Sequence, residues 1–479
     1  MQARELLFEV DCRLQYGTAA VCDTEITDVV TSPVGDLKTA LFVCVKTPVA
    51  DGHYAAFAAY EKGCRLFLAE RGLALPTDAT VLVTEETESL LGALAAKCYG
   101  YPARELTLVG VTGTVGKTAV VGMAKKLLRA AGRRVAVVTP NGYDFEKGFR
   151  AFQNGAPDAA ALQRLLRDLL LAGAEEVLLE LSAYMLAHGA ANALDFSITL
   201  LTNLLPNHIG EGTHRSLAEY TAAKARLFEK RAHLSVQPTR GALPTACGTL
   251  TFGEGGDVFV KTPAGQEILV GAPLVLSCKG EEVITASPVT GAFCVENMAA
   301  ATALCLALGM PLAEIARALP SAAPQAVLEC IYEEDGKRIF LDTAYTAEAL
   351  SRALAALRGS TPLCLSLLLG SVGGRAKSRR APLGEAAVNG ADVVYFTSDD
   401  PDGEDPAQIY RDMTATVPDA AARYTFCADR RRAIATAVAA LRNGDTLLIL
   451  TKEEETQLCQ GKRLPFSDRE AVERALQET

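Results

Sequence analysis

The stretch TLVGVTGTVGKTAVVGMAKKLL, residues 107–128, decides how the chain is read. TLVGVT is an apolar run of strand length, and AVVGMAKKLL repeats its apolar residues at helical spacing. Between them TGTVGKT makes a tight glycine turn. A strand feeding such a turn and a helix aims several backbone N–H groups and the positive end of a helix dipole at one place, where phosphate oxygens fit. Gly113 and Gly116 allow the close approach, and Thr114 sits between them. Lys117 adds a point charge for the outer phosphates, and the Thr118 hydroxyl is placed to reach Mg2+. The usual GxxxxGK[ST] string lacks its first glycine here: that position is Val111, with Gly110 one place earlier.

Outward from the turn, three segments separate. Residues 1–104 mix short apolar runs (ALFVCVKT, CRLFLAE, ATVLVTEE) with the helical SLLGALAAKCYG, which predicts a small α/β domain. Tyr101-Pro102 marks its end, because a residue before proline is pushed out of the α region. Residues 105–322 alternate helices with RRVAVVT, EEVLLELS and FSITLLTN, continuous apolar runs typical of parallel strands buried on both faces. A β-rich part, LPTACGTLTF to VLSCKG, precedes the helix VENMAAATALCLALGM. Residues 323–479 start a second βα series from RIFLDT to DTLLILTK, with ligand-facing loops expected at strand C-termini. The fold class is α/β in three domains: a small N-terminal unit, a central P-loop parallel-sheet ATPase domain, and a C-terminal Rossmann-like domain.

Bulk composition narrows the function. The 479 residues are 49% hydrophobic and 22% charged, a soluble globular balance. A net charge of −10 argues against a nucleic-acid surface. No run of about 18 apolar residues announces a membrane insertion, and the first residues carry no secretory signal. Thirteen cysteines without CxxC spacing fit reduced thiols in a cytoplasmic protein.

TGTVGKT resembles the phosphate turn of the muramyl ligase superfamily, the ATP-dependent amide ligases of peptidoglycan precursor synthesis. ELSAYML is similar to that family's EVSSHAL. TNLLPNHIGEGTHRSLAEYTAAKARLF is similar to TNLxxDHLDxHGTxExYxxAKxxLF, and LDTAYTAEALSRALAALR to DYAHTPDALxxxLxxLR. SDDPDGEDPAQIYRDM resembles SDNPRxEDPxxIxxDI, and TKEEETQLCQGKRLPFSDRE the closing GKGHE…PFDDRE segment. The segments follow the family's order and span nearly the whole chain, and the branch they resemble most is the tripeptide synthetases.

The resemblance implies a chemistry. ATP phosphorylates a carboxylate of a UDP-MurNAc-peptide, and the amine of a free amino acid attacks the acyl phosphate. It implies that Gly113, Thr114, Gly116, Lys117 and Thr118 bind ATP, and that Thr118, Glu180, His208 and Lys224 surround two Mg2+ ions. Lys224 would then be N-carbamylated; by its own spacing it reads as a surface lysine of an amphipathic helix. Asn297 and Asp342 match family residues near the nucleotide, although either also reads as a cap. Ser32, Ser182, Arg380, Asp400, Asp402, Lys452 and Glu455 match substrate-binding positions, Arg380 as a clamp on the incoming α-carboxylate. Asp51-Gly52-His53 keeps a family string that is equally a common turn.

The chain also departs from the family. Ala183 and Tyr184 replace a serine and a histidine, Asn207 an aspartate, Tyr345 the histidine of DYAHT, and Val327 an arginine. Thr451-Lys452-Glu453-Glu454-Glu455 stands where GKGHE is expected. Two readings follow: an amide ligase with an altered substrate, or a nucleotide-binding pseudoligase with a regulatory or scaffold role. A different amide ligase of the superfamily, such as a folylpolyglutamate or cyanophycin type, is a third. The loop Asp399-Asp400-Pro401-Asp402 replaces the asparagine and arginine that grip a distal carboxylate in diaminopimelate-using relatives, so it predicts an amino acid with a cationic tail.

Overall fold

A computed structural model describes all residues except 18–22, 48–49, 147, 153–155, 206–215, 231, 264–267, 292–293, 325–327, 374–376, 418–422, 452–455, 460–461 and 479. The chain forms two compact units. Met1–Val121, Leu128–Asp257 and Ala303–Met310 make the first; Gly122–Leu127, Val258–Thr302 and Pro311–Thr479 make the second.

The first unit carries two sheets. After helix α1 (Ala3–Leu6), strands β1 (Arg13–Tyr16), β2 (Asp28–Val30), β3 (Ala40–Val43), β4 (Leu66–Ala69) and β5 (Thr80–Val83) order as β1-β5-β4-β3-β2, parallel except for β1. Helices α2 (Ala56–Glu61) and α3 (Thr87–Cys98) contribute to two separate apolar clusters, α2 with Phe42 and Phe67, and α3 with Leu41 and Leu68.

The second sheet begins with the stretch that opened the reading. TLVGVT is β6 (Thr107–Thr112) and the run after the turn is α4 (Lys117–Ala130). Val120, Val121, Met123, Ala124, Leu127 and Leu128 bury one stripe of α4. Then come β7 (Val135–Thr139), β8 (Gly142–Asp144), β9 (Phe149–Ala151), α5 (Ala159–Leu171), β10 (Glu176–Glu180), α6 (Ala183–Ala187), β11 (Ile198–Leu201), α7 (Leu217–Ala225), β12 (Leu234–Pro238) and β13 (Gly248–Phe252). Their order is β13-β12-β11-β6-β10-β7-β8-β9, with β6, β7, β10, β11, β12 and β13 parallel. β6 therefore lies between β10 and β11. The C-terminal ends of all three strands, and hence the glycine turn, Glu180 and the Thr202-Asn203 loop, meet at one edge.

The second unit holds the antiparallel strands β14 (Val258–Lys261), β15 (Pro273–Cys278) and β16 (Glu281–Ala286), the start of α8 (Cys294–Ala307), and α9 (Leu312–Ala318). Its larger sheet uses β17 (Glu329–Glu334), β18 (Lys337–Asp342), β19 (Leu365–Leu369), β20 (Val393–Thr397), β21 (Tyr424–Cys427) and β22 (Thr446–Leu450), ordered β17-β18-β22-β19-β20-β21, all parallel but β17. Helices α10 (Ala347–Arg358), α11 (Arg380–Gly390) and α12 (Pro406–Thr414) pack into one apolar cluster with Leu367 and Leu369. Helix α13 (Arg430–Ala439) packs into another with Leu368 and Ile449. A hairpin, β23 (Thr456–Cys459) and β24 (Lys462–Pro465), precedes α14 (Asp468–Glu478), which joins the α13 cluster. The return through α13 inserts β22 between β18 and β19, so the ends of five parallel strands lie along one loop edge.

Candidate active site

The glycine turn is braced before any nucleotide arrives. Thr114 N–H donates to the Asn203 carbonyl (3.1 Å) and Val115 N–H to the Asn203 side-chain oxygen (3.1 Å). The Val115 carbonyl accepts from Asn203 Nδ2 (2.9 Å) and from the Thr202 hydroxyl (2.7 Å). Gly113 has φ +148°, and a Cβ there would lie 1.9 Å from Thr202 Oγ1. Only glycine meets both the conformation and the approach.

Two lysines and a carboxylate face this turn. Glu180 ends β10 at 6% exposure and accepts the Thr118 hydroxyl at 2.9 Å. Lys117 Nζ lies 4.0 Å from the same carboxylate and donates to the carbonyls of Gly113 (3.1 Å) and Thr114 (3.2 Å). From α7, Lys224 Nζ donates to the Gly113 carbonyl at 2.7 Å and contacts Thr112 Oγ1 at 3.4 Å. The surface position that spacing alone gave Lys224 is corrected: it is 1% exposed. The apolar face of α7 points inward and carries the lysine with it. Burial, reinforced by the Lys117 charge, pushes the Lys224 amine down to about 6.

In the second unit the strand ends of the larger sheet enclose a cavity lined by Ala344, Tyr345, Gly370, Arg379, Asp399 and Leu450, among others. Tyr345 donates its hydroxyl to the Thr451 carbonyl (3.0 Å), and Arg379 Nη2 donates to the Tyr345 carbonyl (2.9 Å). The β19–α11 loop lies against the acidic loop. Gly373 N–H donates to the Asp400 carbonyl (2.7 Å), and a Cβ on Gly373 would lie 2.0 Å from the Pro401 carbonyl oxygen.

Comparison with known proteins agrees with this layout. The Mur ligase middle domain matches residues 111–305, and the Mur ligase glutamate ligase domain matches 328–452. A UDP-N-acetylmuramoyl-L-alanyl-D-glutamate–2,6-diaminopimelate ligase of Geobacillus thermodenitrificans is 32% identical over 461 residues, covering 92% of each chain. The chain belongs to the Mur ligase family. A ligase of the same name from Pseudomonas aeruginosa is 32% identical over 466 residues, 91% of this chain and 92% of the other. A solved structure with that name superposes with TM-score 0.65 at 25% identity, covering 100% of this chain and 99% of the other. A MurF ligase from Thermotoga maritima in complex with ADP shares the fold, with TM-score 0.61 and 19% identity over 95% and 96% of the chains. The expected α/β Mur ligase fold and amide-ligase class therefore stand.

Other expected site residues of this Mur ligase fall in different settings. Ser32 is exposed just past β2. Ser182 caps α6 by accepting Met185 N–H (3.1 Å). Asp51-Gly52-His53 is a structural turn: His53 Nδ1 meets Asp51 at 2.6 Å while Nε2 accepts Glu70 N–H at 3.0 Å, and Arg71 closes on Asp51 at 2.8 Å. Asp342 is 6% exposed and accepts Leu328 N–H at 2.8 Å, which ties the end of β18 to the start of β17. Burial pushes it up to about 7. Burial raises the Cys294 thiol at the start of α8, the Asp342 carboxylate adding to it, and Asn297 on the same helix is half-buried.

Arg380 requires a correction. It is 1% exposed, and its guanidinium is engaged by Glu404 (2.9 and 3.1 Å), Asp412 (2.7 Å) and the Val372 carbonyl (3.2 Å). It ties α11 to α12 and has no face left for a substrate carboxylate; the neighbouring Arg379 lines the cavity instead. Asp402 is partly exposed and pairs through its backbone with Cys459 of β23, and Asp400 is half-buried beside it. His208, Lys452 and Glu455 lie outside the described residues, as do Asn207, Val327, Glu453 and Glu454.

Sequence reasoning missed several residues. Asn203 and Thr202, which hold the glycine turn, were visible only as the two letters ending the strand FSITLLTN. Arg430 and Asp468 form a buried bidentate pair (2.7 Å twice), with Arg430 also on the carbonyls of Ser398 and Leu450. It clamps two strand ends of the cavity edge to α13 and α14. Gln457, whose amide reaches the Asp399 carbonyl (2.7 Å), anchors the hairpin there.

Proposed function

We propose that this chain joins an amino acid to the peptide carboxylate of a UDP-MurNAc-peptide at the expense of ATP, in the cytoplasm, through an acyl phosphate. The convergence of the braced turn, Lys117, the Thr118–Glu180 pair and the buried Lys224 on one strand edge carries the reading. The first-turn N–H groups of α4 and Lys117 take the ATP phosphates, swinging Lys117 off the carbonyls it caps. Asn297 and Asp342 belong to the nucleoside end, and Ser32 and Ser182 to the UDP-peptide. The Thr118 hydroxyl and Glu180 carboxylate are hard oxygen donors whose 2.9 Å contact suits Mg2+, which keeps several waters and takes few protein ligands. His208 is assigned to the same centre. Bound there, Mg2+ neutralises charge on the transferring phosphoryl group.

Lys224 is suited to carbamylation because an amine held neutral is the form that reacts with carbon dioxide. Its nitrogen bonds to the CO2 carbon, a C–O π pair becomes the carboxylate charge, and one N–H proton leaves to solvent. The product is a carboxylate able to hold a second Mg2+.

Within the second unit, the cavity takes the amino acid, with Arg379 on its α-carboxylate. Asp400 and Asp402 meet the side chain, and Lys452 and Glu455 are assigned to the same substrate. An acidic loop in place of a cationic one favours lysine or ornithine. The names of the relatives favour diaminopimelate as the second reading. Nothing observed favours a pseudoligase, since the turn, both lysines and Glu180 are all present. Product formation with UDP-MurNAc-dipeptide, ATP and a panel of amino acids tests the assignment. Lysine or ornithine should be preferred; a preference for diaminopimelate overturns the cationic-tail reading, and no product with any amino acid overturns the ligase.

A further inference from the structure

Tyr220 lies one helical turn before Lys224 on α7 and is 2% exposed. Its side chain touches three segments of the phosphate site at once. The hydroxyl donates to Thr114 Oγ1 in the glycine turn at 3.2 Å. That hydroxyl oxygen of Thr114 also accepts Leu205 N–H (3.0 Å) and faces the Leu205 carbonyl (3.4 Å), so the loop after β11 joins the same network. The Tyr220 ring centroid is 4.6 Å from Lys224 Nζ. The ring packs with Ala183, the first residue of α6, and with Ala223.

We propose that Tyr220 is the positioning residue of this centre, its ring seating the Lys224 amine on the Gly113 carbonyl while its hydroxyl ties that ring to the nucleotide turn through Thr114. One side chain thereby couples the state of Lys224 to the shape of the phosphate cradle. The inference rests on the assignment of Lys224 as the carbamylated residue. The step it serves is the one balanced above: dissolved CO2 gains the Nζ–C bond, and the displaced N–H proton goes to solvent. Ring and hydroxyl act separately. The ring fixes the direction from which Nζ faces its partners through contact, its face lying 4.6 Å from the nitrogen. The hydroxyl transmits to Thr114 through a single neutral hydrogen bond.

Two variants of the full chain separate these roles, Tyr220→Phe and Tyr220→Leu, each checked by thermal melting. The readouts are the 13C carbamate resonance formed from labelled bicarbonate and the Kd of MgADP by titration calorimetry. Tyr220→Phe should keep the carbamate resonance and weaken MgADP about fivefold, the weight of one net hydrogen bond. Tyr220→Leu should lose the resonance at a bicarbonate concentration that saturates the parent, and excess bicarbonate should restore both the resonance and turnover. Parent-like resonance and MgADP affinity in Tyr220→Leu, or unchanged affinity in Tyr220→Phe, overturns the proposal. A parent chain without any carbamate resonance instead overturns the Lys224 assignment, and the Tyr220→Phe affinity still decides the hydroxyl's role. Should Tyr220→Leu fail to fold, Tyr220→Phe decides the hydroxyl's role and Tyr220→Met, read by the same carbamate resonance, decides the ring's.

Discussion

Replacing Gly113 by alanine tests the phosphate cradle at its tightest point. The residue holds φ +148°, and the new Cβ would sit 1.9 Å from Thr202 Oγ1, 3.0 Å from Thr202 Cβ and 3.1 Å from Asn203 N. The backbone conformation alone costs about 1–3 kcal/mol for a residue with a side chain. Thr202 must also swing away from the Val115 carbonyl it holds at 2.7 Å, which forfeits about 1 kcal/mol. Together these distort the turn by about 2–4 kcal/mol, a weakening of MgATP binding of roughly 30- to 1,000-fold. Calorimetric titration of the full chain reads this directly, with thermal melting as the control for folding. The pair Gly113→Ala with Thr202→Ala distinguishes mechanism from general damage. Removing the hydroxyl relieves the 1.9 Å clash, so the double variant should bind MgATP at least as tightly as Gly113→Ala alone, although Thr202→Ala by itself weakens binding. Parent-like affinity in Gly113→Ala refutes the cradle, and strictly additive losses in the double variant refute the clash.

The two adjacent arginines should part company. Arg380→Ala leaves Glu404 and Asp412 facing each other with only the exposed Lys377 nearby and should cost about 3 kcal/mol, seen as a large fall in Tm. Arg379→Ala should leave Tm nearly unchanged and raise KM for the amino acid at least tenfold; the reverse pattern contradicts the cavity assignment. For Lys224, burial sets the folded amine near 6 while an unfolded lysine titrates near 10.4. The unfolded chain then binds more protons between those values, so unfolding free energy in metal-free, bicarbonate-free buffer should rise with pH across that window, and Lys224→Met should remove the rise. An identical pH slope in parent and variant contradicts the buried neutral amine. Asp402→Arg should shift the ratio of kcat/KM for diaminopimelate over lysine upward by at least tenfold; no shift removes the loop from substrate choice.

Much of this was legible in the chain. Continuous apolar runs marked β6, β7, β10, β11, β18, β19 and β22, because strands buried on both faces have no polar face to interrupt them. The glycine turn could be placed because strand, turn and helix adjoin in sequence. What escaped was non-local. Asn203 supports the turn from across β11, and nothing in its neighbourhood announces a partner nearly ninety positions away. Lys224 read as exposed because helical spacing does not say which stripe faces the core when a polar residue lies within it; the 2.7 Å bond to the Gly113 carbonyl is what makes its burial tolerable. Arg379 and Arg380 are neighbours in the chain with opposite surroundings, and the choice between them rests on Glu404 and Asp412, brought in by the next loop and helix. Short elements such as β8 and β9, three residues each, had too few residues for a period to show.

Release of ADP and phosphate from ATP by the full chain, in the presence of UDP-MurNAc-dipeptide, Mg2+ and lysine, tests the central claim most directly. Release should require both the peptide and the amino acid, should be accompanied by the extended peptide in equal amount, and should vanish in Lys117→Ala. No release with any amino acid, or release that persists in Lys117→Ala, would contradict the account.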